Sequence, residues 1–134
     1  MEEGNRTMEE GPRAGMRAAI VGSRDRGSEK DRILVENLVN SLPDDAVVVS
    51  GGCRGVDTWA EESADKRGLK VLIFRPNIVD AMTYGEKVQQ FYRRNREIVD
   101  NSDVVYALMS RRRKGGTGYT VDYAKSKGKK VNLL

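Results

Sequence analysis

Apolar residues fall along the chain in short clusters separated by amphipathic stretches. Arg17-Ala18-Ala19-Ile20-Val21 is a compact apolar run ending at Gly22, which predicts a buried strand. From 31 to 42, Leu34, Leu38 and Leu42 recur at helical spacing with Ile33 and Val35 beside them, and Pro43 stops the helix. Ala46-Val47-Val48-Val49 predicts a second strand, closed by Ser50-Gly51-Gly52. Val56, Trp59, Ala60 and Ala64 share one helical face, and Gly68 caps that helix. Val71-Leu72-Ile73-Phe74 is a third strand, stopped by Pro76. After a connection over 77–83, Val88, Phe91, Tyr92, Ile98 and Val99 mark a long helix. Val104-Val105-Tyr106-Ala107-Leu108 predicts a fourth strand. A polar loop over 110–114 leads to Gly115-Gly116 and a helix through Lys127, and residues 131–134 form the last strand after Gly128.

Five strands thus alternate with four helices. Strands that are apolar throughout are buried on both faces, which calls for a parallel sheet between helical layers. The expected fold is α/β: a Rossmann-like, doubly wound three-layer sandwich with a mainly parallel five-stranded sheet. Residues 16–134 make one domain. Residues 1–15 are polar, with four Glu, three Gly and one Pro, and read as a flexible N-terminal tail.

The tail lacks the apolar core of a signal peptide, and no apolar run approaches the ~20 residues of a membrane span. With its one Cys, the chain fits a reducing, cytoplasmic setting. Composition then narrows the chemistry. There is no His, which excludes a Ser-His-Asp triad, a Cys-His dyad and His-ligated zinc. One Cys excludes an intrachain disulfide and a thiolate metal site. Carboxylates, Arg, Lys, Tyr, hydroxyls and backbone amides remain. The net charge of +4, from 24 basic against 20 acidic residues, hints at an anionic partner.

In an open parallel sheet, ligands bind beyond the carboxyl ends of the strands, where strand order reverses. Three glycine turns fall at that edge: Gly22-Ser23-Arg24, Ser50-Gly51-Gly52-Cys53-Arg54-Gly55 and Gly115-Gly116-Thr117-Gly118. Glycines before a helix let the backbone approach a ligand, and the helix dipole favours an anion there. A phosphate or nucleotide site is therefore expected. The turns match neither the P-loop pattern nor G-x-G-x-x-G, so ordinary NTPase or NAD binding is unsupported. Arg94 and Arg96 lie near the middle of the long helix, and Asn95 between them, a poor helix former, reads as more than surface filler. Arg93 reads as solvated. Asp57, in the first turn of its helix, suits a capping role, and Cys53 reads as a small turn residue. Asp122, about one turn inside the last helix, suits either helix capping or a sugar hydroxyl.

These residues together resemble the SLOG superfamily, which includes the DprA and LOG families. Ser50-Gly51-Gly52-Cys53-Arg54-Gly55-Val56-Asp57 is similar to the S-G-G-x-R-G-[IV]-D segment of DprA proteins, and Arg94-Asn95-Arg96-Glu97-Ile98 with Ser102-Asp103 to their R-N-R-x-I…S-D segment. Residues 115–122 are similar to the G-G-x-G-T-x-x-E signature of LOG phosphoribohydrolases, and Val21-Gly22-Ser23-Arg24 to the first loop of both. Small single-domain SLOG proteins related to YspA and YpsA are the nearest in build.

The resemblance implies a nucleotide-type ligand bound by Gly22, Ser23, Arg24, Ser50, Gly51, Gly52, Arg54, Asp57, Asn95, Gly115, Gly116, Thr117 and Gly118. No cofactor or metal is required, and a homodimer is implied. Such a binding module would act as a sensor. In LOG enzymes an Arg and a Glu support cleavage of a nucleoside 5′-monophosphate, and those roles would fall on Arg94 and Asp122. Here Lys114, Tyr119 and the shorter Asp122 depart from the LOG pattern, with Asp122 one methylene short. The DprA likeness implies instead single-stranded DNA binding, with Arg93–Arg96 and residues 111–114 along the backbone and Tyr84, Tyr92 and Tyr119 for stacking.

Overall fold

The computed structural model describes residues 15–112 and 115–134. The expected tail over 1–15 lies, but for Gly15, outside the described residues, as do Arg113 and Lys114 of the basic loop. The chain runs β1 (Arg17–Gly22), α1 (Glu29–Ser41), β2 (Val47–Ser50), α2 (Val56–Arg67), β3 (Lys70–Ile73), α3 (Tyr84–Asp100), β4 (Val104–Leu108), α4 (Gly115–Ser126) and β5 (Lys130–Leu133). The sheet order is β3-β2-β1-β4-β5 and every pairing is parallel. This is the expected α/β three-layer architecture, parallel throughout.

Side chains alternate across a strand, which explains the unbroken apolar runs. In β1, Ala18 and Ile20 join the core under α1 and α2, with Val35, Val39, Ala60 and Ala64. Ala19 and Val21 point the other way, to the core under α3 and α4, with Ile98, Val99, Val121 and Ala124. Both faces of the central strand are thus sealed. Each fully buried Val or Ile contributes roughly 1.5–3 kcal/mol relative to exposure.

Caps fix the helix ends. The Ser28 hydroxyl accepts from the Asp31 amide while the Asp31 carboxylate accepts from the Ser28 amide. Thr83 and Glu86 do the same for α3. Each such cap contributes about 1 kcal/mol. Gly68 ends α2 in the left-handed region, at φ 74°, where only glycine sits without strain.

Strand order reverses between β1 and β4. The chain winds outward from β1 to β3, then crosses back to β4 beside β1. The helices and loops that follow these two strands diverge from that line and leave a crevice at the carboxyl edge. Gly22 closes β1 where α2 presses against it: a Cβ there would collide with the Val56 side chain. That close approach brings the start of α2 up to the sheet edge.

Candidate functional site

The crevice is a cleft of about 980 Å³. From the loop after β1 it takes Gly22, Ser23 and Arg24; from the loop after β2, Gly52, Arg54 and Asp57. Arg94 and Asn95 enter from α3, and Gly115, Gly116 and Thr117 from the start of α4. Four segments distant from one another in the chain therefore meet at one edge. Ser50, Gly51, Gly118 and Asp122 do not line it. Ser50 is buried, its hydroxyl donating to Glu61 Oε2 at 2.6 Å and accepting from the Gly52 amide at 3.3 Å. Gly118 is buried within α4, and Asp122 is exposed. The last helix begins at Gly115 itself, earlier than the sequence reading, so Asp122 is its eighth residue and lies about two turns in.

The second loop is held from beneath. Arg94 is buried, and its Nη1 donates to the Gly51 carbonyl oxygen at 2.7 Å. Its Nε donates to Asn95 Oδ1 at 2.9 Å, and Nη2 lies 3.7 Å from Cys53 Sγ. Asp57 Oδ2 accepts from the Cys53 amide at 3.1 Å. The carboxylate thus braces the loop rather than capping the helix amides. Burial pushes the Asp57 carboxyl above the usual range, against the pull of the Cys53 amide and the Arg94 charge. Gly55, the residue before α2, has φ 80° and makes no side-chain cap. No N-cap side chain therefore answers the first amides of α2, which have the positive end of the helix dipole behind them.

The opposite wall is apolar. Tyr84, Val88, Phe91 and Tyr92 line the cleft at i, i+4, i+7 and i+8 of α3. Tyr84 is 84% exposed and Phe91 38% exposed. The sequence pattern assigns Val88, Phe91 and Tyr92 to a helix face without saying what that face meets. Only Ile98 and Val99, further along, reach the core. Tyr92 also stacks on Tyr119, with ring centroids 4.3 Å apart, and Arg96 Nη1 donates to Tyr119 Oη at 2.8 Å. This seam fixes α4, and its opening glycines, against α3. Arg96 is thus engaged with α4, Arg94 is buried, and Arg93 is exposed.

Sequence reasoning missed Arg26. It is buried, and pairs with Asp31 Oδ1 through Nε at 3.0 Å and Nη2 at 2.9 Å. Its Nη1 donates to the Met109 and Leu134 backbone oxygens at 3.0 and 3.1 Å. Arg26 thereby ties the loop after β1 to the ends of β4 and β5. Its one local signal is the neighbouring Ser28–Asp31 capping box, which does not call for an arginine.

Among the described residues, no group of three or more His, Cys, Asp or Glu side chains could hold a metal ion, and no helix is long and apolar enough to cross a membrane.

No curated protein matches the sequence. Among solved structures, the chain is similar to DNA processing protein A (DprA) from Streptococcus pneumoniae, with TM-score 0.73 and 22% identity over 89% of this chain and 50% of that one. It is also similar to DNA processing protein A from Helicobacter pylori, with TM-score 0.72 and 24% identity over 90% of this chain and 66% of that one. The second structure is described for its unique single-stranded DNA binding mode. The chain thus spans half to two thirds of the length of these neighbours, and the likeness establishes the shared fold. The DNA recombination-mediator protein A family matches residues 4–86, from before β1 to the start of α3, taking in two of the three glycine turns. That match covers well over half of the 134 residues, and the protein belongs to the DNA recombination-mediator protein A family.

Proposed function

We propose that the cleft binds single-stranded DNA, seating nucleotide units between its two unlike walls. The observation that carries this reading is the pairing of a glycine-amide wall bearing Arg24 and Arg54 with an exposed aromatic wall, Tyr84 and Phe91, across one cleft. Phosphate oxygens meet the loop amides, the first amides of α2 and the two arginines. Bases stack on the aromatic side, which accepts any base because every base has a π-face. The volume, at the top of the ~300–1,000 Å³ range of small-ligand sites, leaves room for more than one nucleotide. The family's name and the single-stranded DNA binding mode of the H. pylori neighbour point the same way. A free nucleotide, the ligand a sensor would read, would use the same contacts; it is the shorter version of the same chemistry.

Hydrolysis of a nucleoside 5′-monophosphate has less support from the geometry. Arg94 spends its donors on Gly51 and Asn95 beneath the loop, and Asp122 stands outside the cleft. Loss of reach of about an ångström is very costly to rate.

Fluorescence anisotropy with a labelled oligo-dT strand tests the proposal. Binding should weaken steeply with salt, with a log–log slope of about −0.7 per phosphate contacted. The Arg24→Ala, Arg54→Ala double variant should bind at least about tenfold more weakly. Absence of binding, or binding indifferent to salt, would overturn it.

A further inference from the structure

Next to the cleft, sharing Arg94 with it, lies a small polar groove of about 210 Å³ between the β3–α3 connection and α3. We propose that this groove is a second anion site, which holds the phosphodiester backbone of a DNA strand as it leaves the cleft. The inference rests on the DNA reading above and adds a path to it.

Three observations carry it. First, Arg94 lines both cavities, so the groove adjoins the cleft across that one side chain. Second, the groove concentrates positive charge. Arg75 and Arg93 line it and are exposed, and the Arg93 side chain makes no hydrogen bond or ion pair with another described residue. Arg94 is buried and donates to the Gly51 carbonyl oxygen and to Asn95 Oδ1, so the accessible charge comes from Arg75 and Arg93. Third, Arg75 is held over the turn: Nη1 donates to the Gly52 carbonyl oxygen at 3.2 Å. That bond uses one of five guanidinium donors and leaves a fork free for a phosphate.

Glu97 is the one carboxylate lining the groove. It stands one turn beyond Arg93 on α3 and repels a phosphate there. The strand is therefore directed toward the Arg75 side, next to Gly52 and the cleft. An arrangement of two guanidinium groups around a narrow polar notch suits a phosphodiester better than a base, because no aromatic side chain lines it for stacking.

The test compares two probes on the full chain: a 5′-phosphorylated thymidine dinucleotide, which the cleft alone can hold, and an oligo-dT of about ten nucleotides, within the ~4–16 nucleotides such sites span. Arg93→Glu should weaken the longer strand about tenfold and change the dinucleotide by less than about twofold, with a salt slope for the longer strand shallower by about 0.7. Arg93→Gln, which removes the charge without reversing it, should weaken the longer strand about threefold. Arg93 is exposed, so both variants should keep the wild-type unfolding midpoint. Equal losses for both probes, or no loss for either, would overturn the second site and leave the DNA reading standing. If the wild-type protein binds neither probe, the DNA reading fails and the groove proposal falls with it.

Discussion

The Arg94 guanidinium and the Gly51 backbone share a space that admits no side chain between them. Nη1 donates to the Gly51 carbonyl oxygen at 2.7 Å. A Cβ on Gly51 would stand 2.8 Å from the same nitrogen and 3.1 Å from Asp57 Oδ2. A buried cation from α3 thus sets the height of the loop that follows β2, and a glycine is required there for close approach rather than for its dihedral angles.

Gly51→Ala should therefore push Arg94 away from the loop. The overpacked variant is expected to lose about 2 kcal/mol of stability. Its oligo-dT affinity should fall as well, because the second turn no longer presents its amides at the right height. Urea denaturation and anisotropy on the same preparation check both. An unchanged midpoint would show that Arg94 moves aside freely.

Asp31 and Asp57 should shape the pH dependence of stability in opposite senses. For Asp31, burial disfavours the charged form, but hydrogen bonds from Arg26 and Ser28 outweigh it and hold the carboxyl below its ordinary value. The stabilisation it gives is complete above that ordinary value, ~3.9, and is lost as pH falls through the lower folded value. For Asp57 the folded value is raised, mainly by burial. Its contribution is complete below the ordinary value and is lost as pH rises through the raised one. Urea midpoints followed from about pH 3 to 7 should show Asp31→Asn lacking the acid-side loss and Asp57→Asn lacking the loss above it. At neutral pH, Asp31→Asn should also cost about 3 kcal/mol, because Arg26 is left buried without its counter-charge.

Tyr84→Ala and Phe91→Ala separate binding from folding. Tyr84 is largely exposed, so its truncation should leave the unfolding midpoint nearly unchanged, whereas Phe91, more than half covered and with the Arg94 guanidinium 5.9 Å from its ring centroid, should cost about 1 kcal/mol. Each should weaken oligo-dT binding by about 1–3 kcal/mol if a base stacks there. The pair of measurements matters, since a loss of stability without a loss of affinity would return these residues to a purely structural role.

Asp122→Ala tests the role that the phosphoribohydrolase likeness assigns to that position. Oligo-dT affinity is expected to stay within about twofold of wild type, because Asp122 lies outside the cleft. Chromatography of nucleoside 5′-monophosphates incubated with wild-type protein should show no free base. Base release by wild type that Asp122→Ala abolishes would restore the hydrolase reading.

How much of this was legible in the sequence varies by residue. The strands were, because Ala18 to Val21 and Val47 to Val49 are apolar at every position, and only a strand covered on both faces calls for that. The placement of Gly22, Gly52 and Gly116 at one edge followed from the parallel arrangement. The role of Arg94 within the R-N-R segment did not: guanidinium burial depends on Gly51 and Asp57, which lie about 40 residues away. Phe91 and Tyr92 were visible as a helical stripe, yet periodicity reports that a face is apolar and not what it meets. The first half of that stripe lines the cleft and the second half enters the core.

The sequence by itself therefore determined the element order, the parallel sheet and the absence of histidine chemistry, since these depend on local pattern and composition. Only the tertiary structure decided which charges are spent and which are available. Arg26 and Arg94 are consumed by backbone oxygens and carboxylates beneath the loops, whereas Arg24, Arg54, Arg75 and Arg93 are exposed. The physical reason is that a cation's role is set by the partners within hydrogen-bond reach, and in a doubly wound sheet those partners come from strands distant in the chain.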